Sequence, residues 1–267
     1  MFQLLRMDLY RIKRSKSAYV CFGLLLLQMS AIVFMVWLLT PQGQQLADKI
    51  GFVSASVPGN SEGMLDGMDT VSMFRRTGLN GGTYSMIFGI WLMLFVCMDY
   101  QSGFMKNIMA LHQNRFSYAV SKVLAAGIVN LCYLAGLYVF VLILNRLLGK
   151  MVPETGILDV VYYISWCWLI TTAFAALMLL ICVCTRSVAA GAIAAVLLGT
   201  GTAVMPVYTV LRQLHMGEWL EYSIYMTLST APDHYTSGGD LYVYAVGAVF
   251  FAVYTMTAAV VLKKQDI

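Results

Sequence analysis

Six stretches of this chain are apolar over lengths comparable to the hydrocarbon core of a bilayer, and nothing else restricts its fold as strongly. A helix needs about 20 apolar residues to cross that core. Residues 18–40, 83–98, 119–144, 157–184, 188–206 and 241–262 supply the runs, the second being short by itself. Backbone polar groups inside lipid must pair within their own segment, so the runs read as helices and the fold as an all-α integral membrane protein with six transmembrane helices. Composition points the same way. Hydrophobic residues make up 60% of the chain and charged residues 11%, where soluble domains carry about a quarter charged. Residues 1–267 therefore read as a single transmembrane domain. The first run is too long for a signal-peptide core and is expected to remain as a span.

The segments between the runs fall into two groups. Residues 1–16 place Phe2, Leu5, Leu9 and Ile12 at helical spacing among Arg6, Arg11, Lys13, Arg14 and Lys16. That pattern predicts an amphipathic helix in the interface, drawn to anionic membrane lipid at about 1 kcal/mol per basic residue. A plain positive-inside flank is the simpler reading of the same charges. Residues 41–82 are polar, with Pro58 and seven glycines from Gly51 to Gly82, and read as an external loop. Within it Asp66-Gly67-Met68-Asp69 lacks the closing Glu of a calcium loop and reads as turn chemistry. Residues 207–240 hold Arg212, Glu218 and Glu221. Each would cost about 2.5–3.5 kcal/mol at mid-bilayer, so the stretch reads as external or re-entrant rather than as a seventh span.

Charge then sets the orientation. With both termini cytoplasmic, that side collects Arg6, Arg11, Lys13, Arg14, Lys16, Lys106, Arg115, Lys122, Arg186, Lys263 and Lys264, which is 11 of the 17 basic residues. Only Asp8, Asp99 and Asp266 oppose them there. An excess of Lys and Arg over short loops marks the cytoplasmic face.

Residues 99–116 are the sizeable polar segment between two runs on that face. Phe104, Ile108 and Leu111 recur at helical spacing, widened by Met105 and Met109, with Lys106, His112 and Arg115 on the polar side. The segment reads either as a helix resting on headgroups or as a short cytoplasmic helix that a soluble partner grips. An acid closing a span (Asp99), a Gly four positions on (Gly103), an amphipathic turn, then Arg115 and Lys122 seven apart resembles the segment between spans two and three of type-2 ABC transporter permeases. Where that family often carries Pro before the Arg, this chain has Gln113 and Asn114. The resemblance extends to the layout of nearly the whole chain. It implies that Asp99, Gly103, Phe104, Met105, Lys106, Ile108, Leu111 and Arg115 couple to ABC ATPase subunits, and that residues 1–16 form an interfacial elbow. It also implies a second permease subunit, the same chain or a different one, and short re-entrant helices after the fifth span. The function implied is ATP-driven export of an amphipathic peptide, antibiotic or lipid-like substrate across a bacterial cytoplasmic membrane. Antibiotic resistance and bacteriocin immunity are typical roles of small permeases of this kind.

Several chemistries lack their residues. The sequence has no Walker A motif, Gly-x-Ser-x-Gly elbow or His-Glu-x-x-His pair. The chain is therefore expected to be no enzyme and to hold no cofactor, with ATP and Mg bound by the partner. His112, His215 and His234 are too dispersed for a metal site. All six cysteines fall in spans, so no disulfide framework is expected. Nothing in the pattern suggests nucleic acid. Two other classes stay open: a polytopic membrane enzyme using Asp159, Glu218, Glu221, Asp233 and His234 on the outer side, and an ATP-independent transporter or channel. Gln28, Ser30, Asn130, Thr171, Thr172, Thr200 and Thr202 offer polar contacts within spans that packing explains as readily as substrate.

Overall fold

The computed structural model describes residues 2–38, 40, 43–45, 49, 67–105, 115–213, 220 and 222–264, which form helices and their connections with no strand. The helices are α1 (Phe2–Arg14), α2 (Lys16–Leu38), α3 (Thr70–Phe74), α4 (Thr83–Gln101), α5 (Arg115–Leu147), α6 (Ile157–Thr185), α7 (Val188–Gly199), α8 (Val204–Gln213), α9 (Ile224–Thr230) and α10 (Tyr242–Lys264). Five candidate spans are long and apolar enough to cross a membrane, or six if bent α7 and α8 count as one.

The most deeply buried of them, α6, is the hub of the bundle, and α4, α5, α7, α9 and α10 all pack on it. Trp166, Ile170, Ala173 and Cys182 on α6 are fully buried. By contrast α2 and α10 keep apolar side chains outside: Leu24 and Leu27 on the first, Val249, Val253, Met256 and Val260 on the second. Faces of this kind suit lipid rather than water.

Two boundaries differ from those the sequence suggests. The second candidate span begins at Thr70, inside the stretch expected to be external loop, and runs to Gln101. Asp69 caps it, its carboxylate accepting the Ser72 amide proton at 2.9 Å. After α3 the backbone widens into a π-helical turn over Arg75–Leu79 and a 3-10 turn over Asn80–Gly82. Gly81 and Gly82 take left-handed φ values of 81° and 71°, which only glycine adopts freely, and the helix axis is broken there. The arginines and glycines that read as loop are accommodated by the π turn, with Arg75 neutralised by Asp233.

The fifth run is also broken. Its first half, α7, lies antiparallel along α4, Gly191 opposite Met93 and Gly199 opposite Met86. The small pair Gly191 and Ala195 thus receives α4, and Ala195 is fully buried. At Thr200–Ala203 the chain turns, Gly201 at φ 74°, and α8 leaves at 51°. Pro206 lies in the first turn of α8, where a missing N–H costs no bond. Next, α9 is capped by Ser223 and packs on α6 and α10, burying Ile224 and Leu228. Glu218, Trp219 and Glu221 lie outside the described residues.

Where α4 meets α6, Cys97 and Cys182 are brought side by side, their Cα atoms 6.3 Å apart. Spacing along the sequence, 85 residues, gave no sign of it.

Candidate functional site

The end of the bundle that carries α1 contains a buried ion network. On α1 the buried positions are Leu4, Asp8 and Ile12, one turn apart, so an acid sits in the middle of the helix's inward stripe. Asp8 meets Lys122 of α5, whose Nζ donates to its Oδ1 at 2.6 Å, and Ser121, whose hydroxyl donates to Oδ2 at 3.2 Å. The same ammonium lies 2.7 Å from Asp99 Oδ2, near the end of α4. Arg11 completes the set, donating from Nη2 to Asp99 Oδ1 at 2.6 Å, and Tyr118 donates its hydroxyl proton to Oδ2 at 3.1 Å. Asp8, Asp99 and Lys122 are each no more than 1% exposed.

Two acids and two bases balance, which is how buried charge survives. Aromatic rings enclose the cations. Lys122 Nζ stands 4.3 Å from the Phe95 ring centroid, and the Arg11 guanidinium 4.5 Å from that of Phe104. Such contacts contribute about 0.5–2 kcal/mol each, more when desolvated. Burial pushes the Asp8 carboxyl above the usual carboxylate range, and the Lys122 ammonium pulls it back.

The local backbone explains why the chain turns where it does. Ser102 N donates to Met98 O at 3.0 Å and Gly103 N to Tyr100 O at 3.3 Å. Gly103 then takes φ 69°, the left-handed conformation that closes helices. Phe104 and Met105 follow, Met105 at 1% exposure and Phe104 half-buried over Arg11. Asp99 and Phe104 therefore both meet Arg11, with Gly103 and Met105 beside them along the chain. Lys106, Ile108 and Leu111 lie outside the described residues, as does the side chain of Arg115, whose backbone opens α5.

Residues assigned to the apolar stripe of the first helix divide. Ile12 is buried and Leu5 and Leu9 half-buried, but Phe2 is 80% exposed and lies off the inward line. Lys13 and Arg14 are exposed, Arg14 donating to the Tyr10 hydroxyl. Asp8 is the participant sequence reasoning missed. Its signal was present: an acid four residues from both Leu4 and Ile12, in a segment otherwise basic.

At the opposite end, part of the alternative acidic set converges. His234 Nε2 lies 3.4 Å from Asp69 and its Nδ1 3.7 Å from Asp159, while Asp233 pairs with Arg75. Each imidazole nitrogen faces a carboxylate. Burial raises the Asp69 carboxyl, but hydrogen bonds from Thr155 and Ser72 outweigh it and hold the group below its usual range. This cluster fastens the start of α3 and of α6 to the segment before α10. Among the polar span residues, Asn130 is saturated: it accepts from Tyr84 and donates toward Trp168 O, Thr171 and Thr172. These hydroxyls hold α4, α5 and α6 together.

Fold and site together define a multi-pass helical membrane protein whose first helix is clamped by buried ion pairs to two of its long apolar helices. Beyond that class, the chain matches no known family model and no curated protein.

Proposed function

We propose that the chain is the membrane-spanning permease subunit of an ATP-driven exporter of the type-2 ABC kind, with ATP bound and hydrolysed by a separate subunit. One observation carries the reading. The Asp8–Lys122–Asp99–Arg11 network joins the elbow, the second span and the third span where the chain leaves α4 for the polar segment 106–114. A push delivered to that segment by a soluble motor would reach three helices at once through charge pairs, which resist sliding because each displacement unpairs a buried ion. Phe104, resting on Arg11, is the first side chain to feel it.

In this reading the basic end is cytoplasmic, both termini lie inside, and the membrane is that of a bacterial cell. The cargo proposed is an amphipathic peptide, antibiotic or lipid-like molecule; the apolar cavity of about 160 Å³ beside the α7–α8 break, lined by Phe174, Leu198, Leu228 and Phe250 with Ser85 and Tyr254, has room for one ring or a short aliphatic segment of it. Asn130 and its partners are spent on packing and are not assigned to cargo.

The test is co-purification. A tagged chain drawn from its native membrane should bring an ATPase subunit with it. Phe104→Ala should weaken that association or uncouple hydrolysis from substrate. Burying a side chain of this size is worth about 1.5–3 kcal/mol, hence more than about tenfold in affinity. A chain that purifies alone from native membranes and transports alone in vesicles would overturn the proposal in favour of an ATP-independent transporter.

A further inference from the structure

Under the first helix lies a groove that the ion network does not use. Its volume is about 330 Å³, and α1 roofs it with Leu9 and Ile12 while Phe22 of α2 and Val129, Cys132 and Tyr133 of α5 form the walls. The polar groups at its edges are engaged. The Tyr133 hydroxyl donates to Ala18 O at 2.5 Å, and that of Tyr19 to Lys13 O at 3.0 Å. What remains on the walls is hydrocarbon and the Cys132 thiol.

The exception is Lys13. It is the charged residue of the lining, is exposed, and has no acidic partner among the described residues. Leu24 on α2 and Ile128 and Leu131 on α5 are exposed apolar residues of the two helices that flank the opening. An occupant must therefore offer a long apolar body to the groove and a negative charge at its rim.

We propose that this groove binds one acyl chain of an anionic phospholipid, with the lipid phosphate at Lys13. The inference rests on the membrane reading of α2 and α5 and not on the transport reading. A lipid bound here touches both α1 and α5, the helices that Asp8 and Lys122 join, and so braces the same corner from the opposite face. A peptide is disfavoured as occupant because the walls leave no backbone group open to pair with its amides.

Cys132 makes the groove testable, since it lines the groove and is exposed. With the other exposed thiol removed by Cys184→Ala, the full chain is reconstituted into phosphatidylcholine vesicles with or without phosphatidylglycerol, and alkylation of Cys132 by a membrane-permeant maleimide is timed. Phosphatidylglycerol should slow the reaction by about fivefold, the factor one basic residue near a charged surface provides. Lys13→Glu should erase the difference and Lys13→Arg should keep it. Glycerol phosphate added to the detergent-solubilised chain should give no protection, separating a lipid from a free phosphate. Equal rates in the two vesicles, protection that survives Lys13→Glu, or protection by glycerol phosphate alone would overturn the proposal.

Discussion

At the scale of single residues, the chain is governed by how it disposes of charge. Lys122 is the pivot, because its ammonium serves two carboxylates, 2.6 Å and 2.7 Å away. Lys122→Met leaves Asp8 and Asp99 buried with only Arg11 to answer them. Removing one partner from a buried set costs about 3–5 kcal/mol, so this variant should lose most of its thermal stability in detergent. Adding Asp8→Asn to it should recover part of the loss, because one unpaired charge goes with it. No recovery in the double variant would mean that Asp8 is not Lys122's counter-ion. Asp69 gives a prediction of opposite pH sense to a raised acid. Its pKa is depressed in the fold, so the ionised cap stabilises above the unfolded value and that contribution disappears as pH falls through the folded one. Asp69→Ala should cost about 1 kcal/mol at neutral pH and nothing at a pH below the folded value. A cost that persists in acid would assign the effect to packing instead. Asp99 and Phe104 were singled out in the sequence through the family resemblance, and Arg11 only as a basic residue of an interfacial helix, so the ion pair between Asp99 and Arg11 was not read there. Asp8 was passed over, because the periodicity of Phe2, Leu5, Leu9 and Ile12 placed the buried line one step away from Leu4, Asp8 and Ile12.

At the scale of elements, runs of apolar residues locate helices well and locate their breaks poorly. Four of the expected spans appear as single long helices over nearly the expected residues: α2, α5, α6 and α10. The two others contain the irregularities. Thr70–Gln101 starts among residues with a loop-like composition, and only tertiary partners make that start possible: Asp233 for Arg75, and Tyr138 and Tyr163 edge-on to Phe74. None of those contacts is local in sequence. The seam between α4 and α7 turns on glycine, and its two ends differ in what a side chain would strike. A Cβ at Gly199 would fall 2.8 Å from the Met86 backbone nitrogen, whereas one at Gly191 would meet the flexible side chain of Met93. Overpacking costs about 1–3 kcal/mol when the neighbour cannot move. Gly199→Ala should therefore lower the unfolding temperature in detergent by clearly more than Gly191→Ala. Equal shifts would show that the helices slide apart as freely at one end as at the other.

At the scale of the whole molecule, the distribution of polar clusters matches that of charge. One end carries the Asp8–Lys122–Asp99–Arg11 network and the basic flank of α1; the other carries Asp69, Asp159, Asp233, Asp240 and His234. The apolar helices keep the two apart. Translocation of short loops disfavours Lys and Arg, so the first end should face the cytoplasm. Two exposed serines report on this directly. Ser102 caps the end of α4 beside the network, and Ser237 opens the turn before α10, where Asp240 accepts its amide proton at 2.8 Å. Single cysteines placed at these positions, with Cys132 and Cys184 changed to Ser, should divide cleanly under a membrane-impermeant maleimide applied to whole cells. Ser237→Cys should label at once, and Ser102→Cys only after the membrane is opened. The reverse pattern would place the ion network outside the cell, beyond the reach of any ATP-driven partner. Gathering Phe104 and Arg11 at that end would then serve the packing of α1 alone.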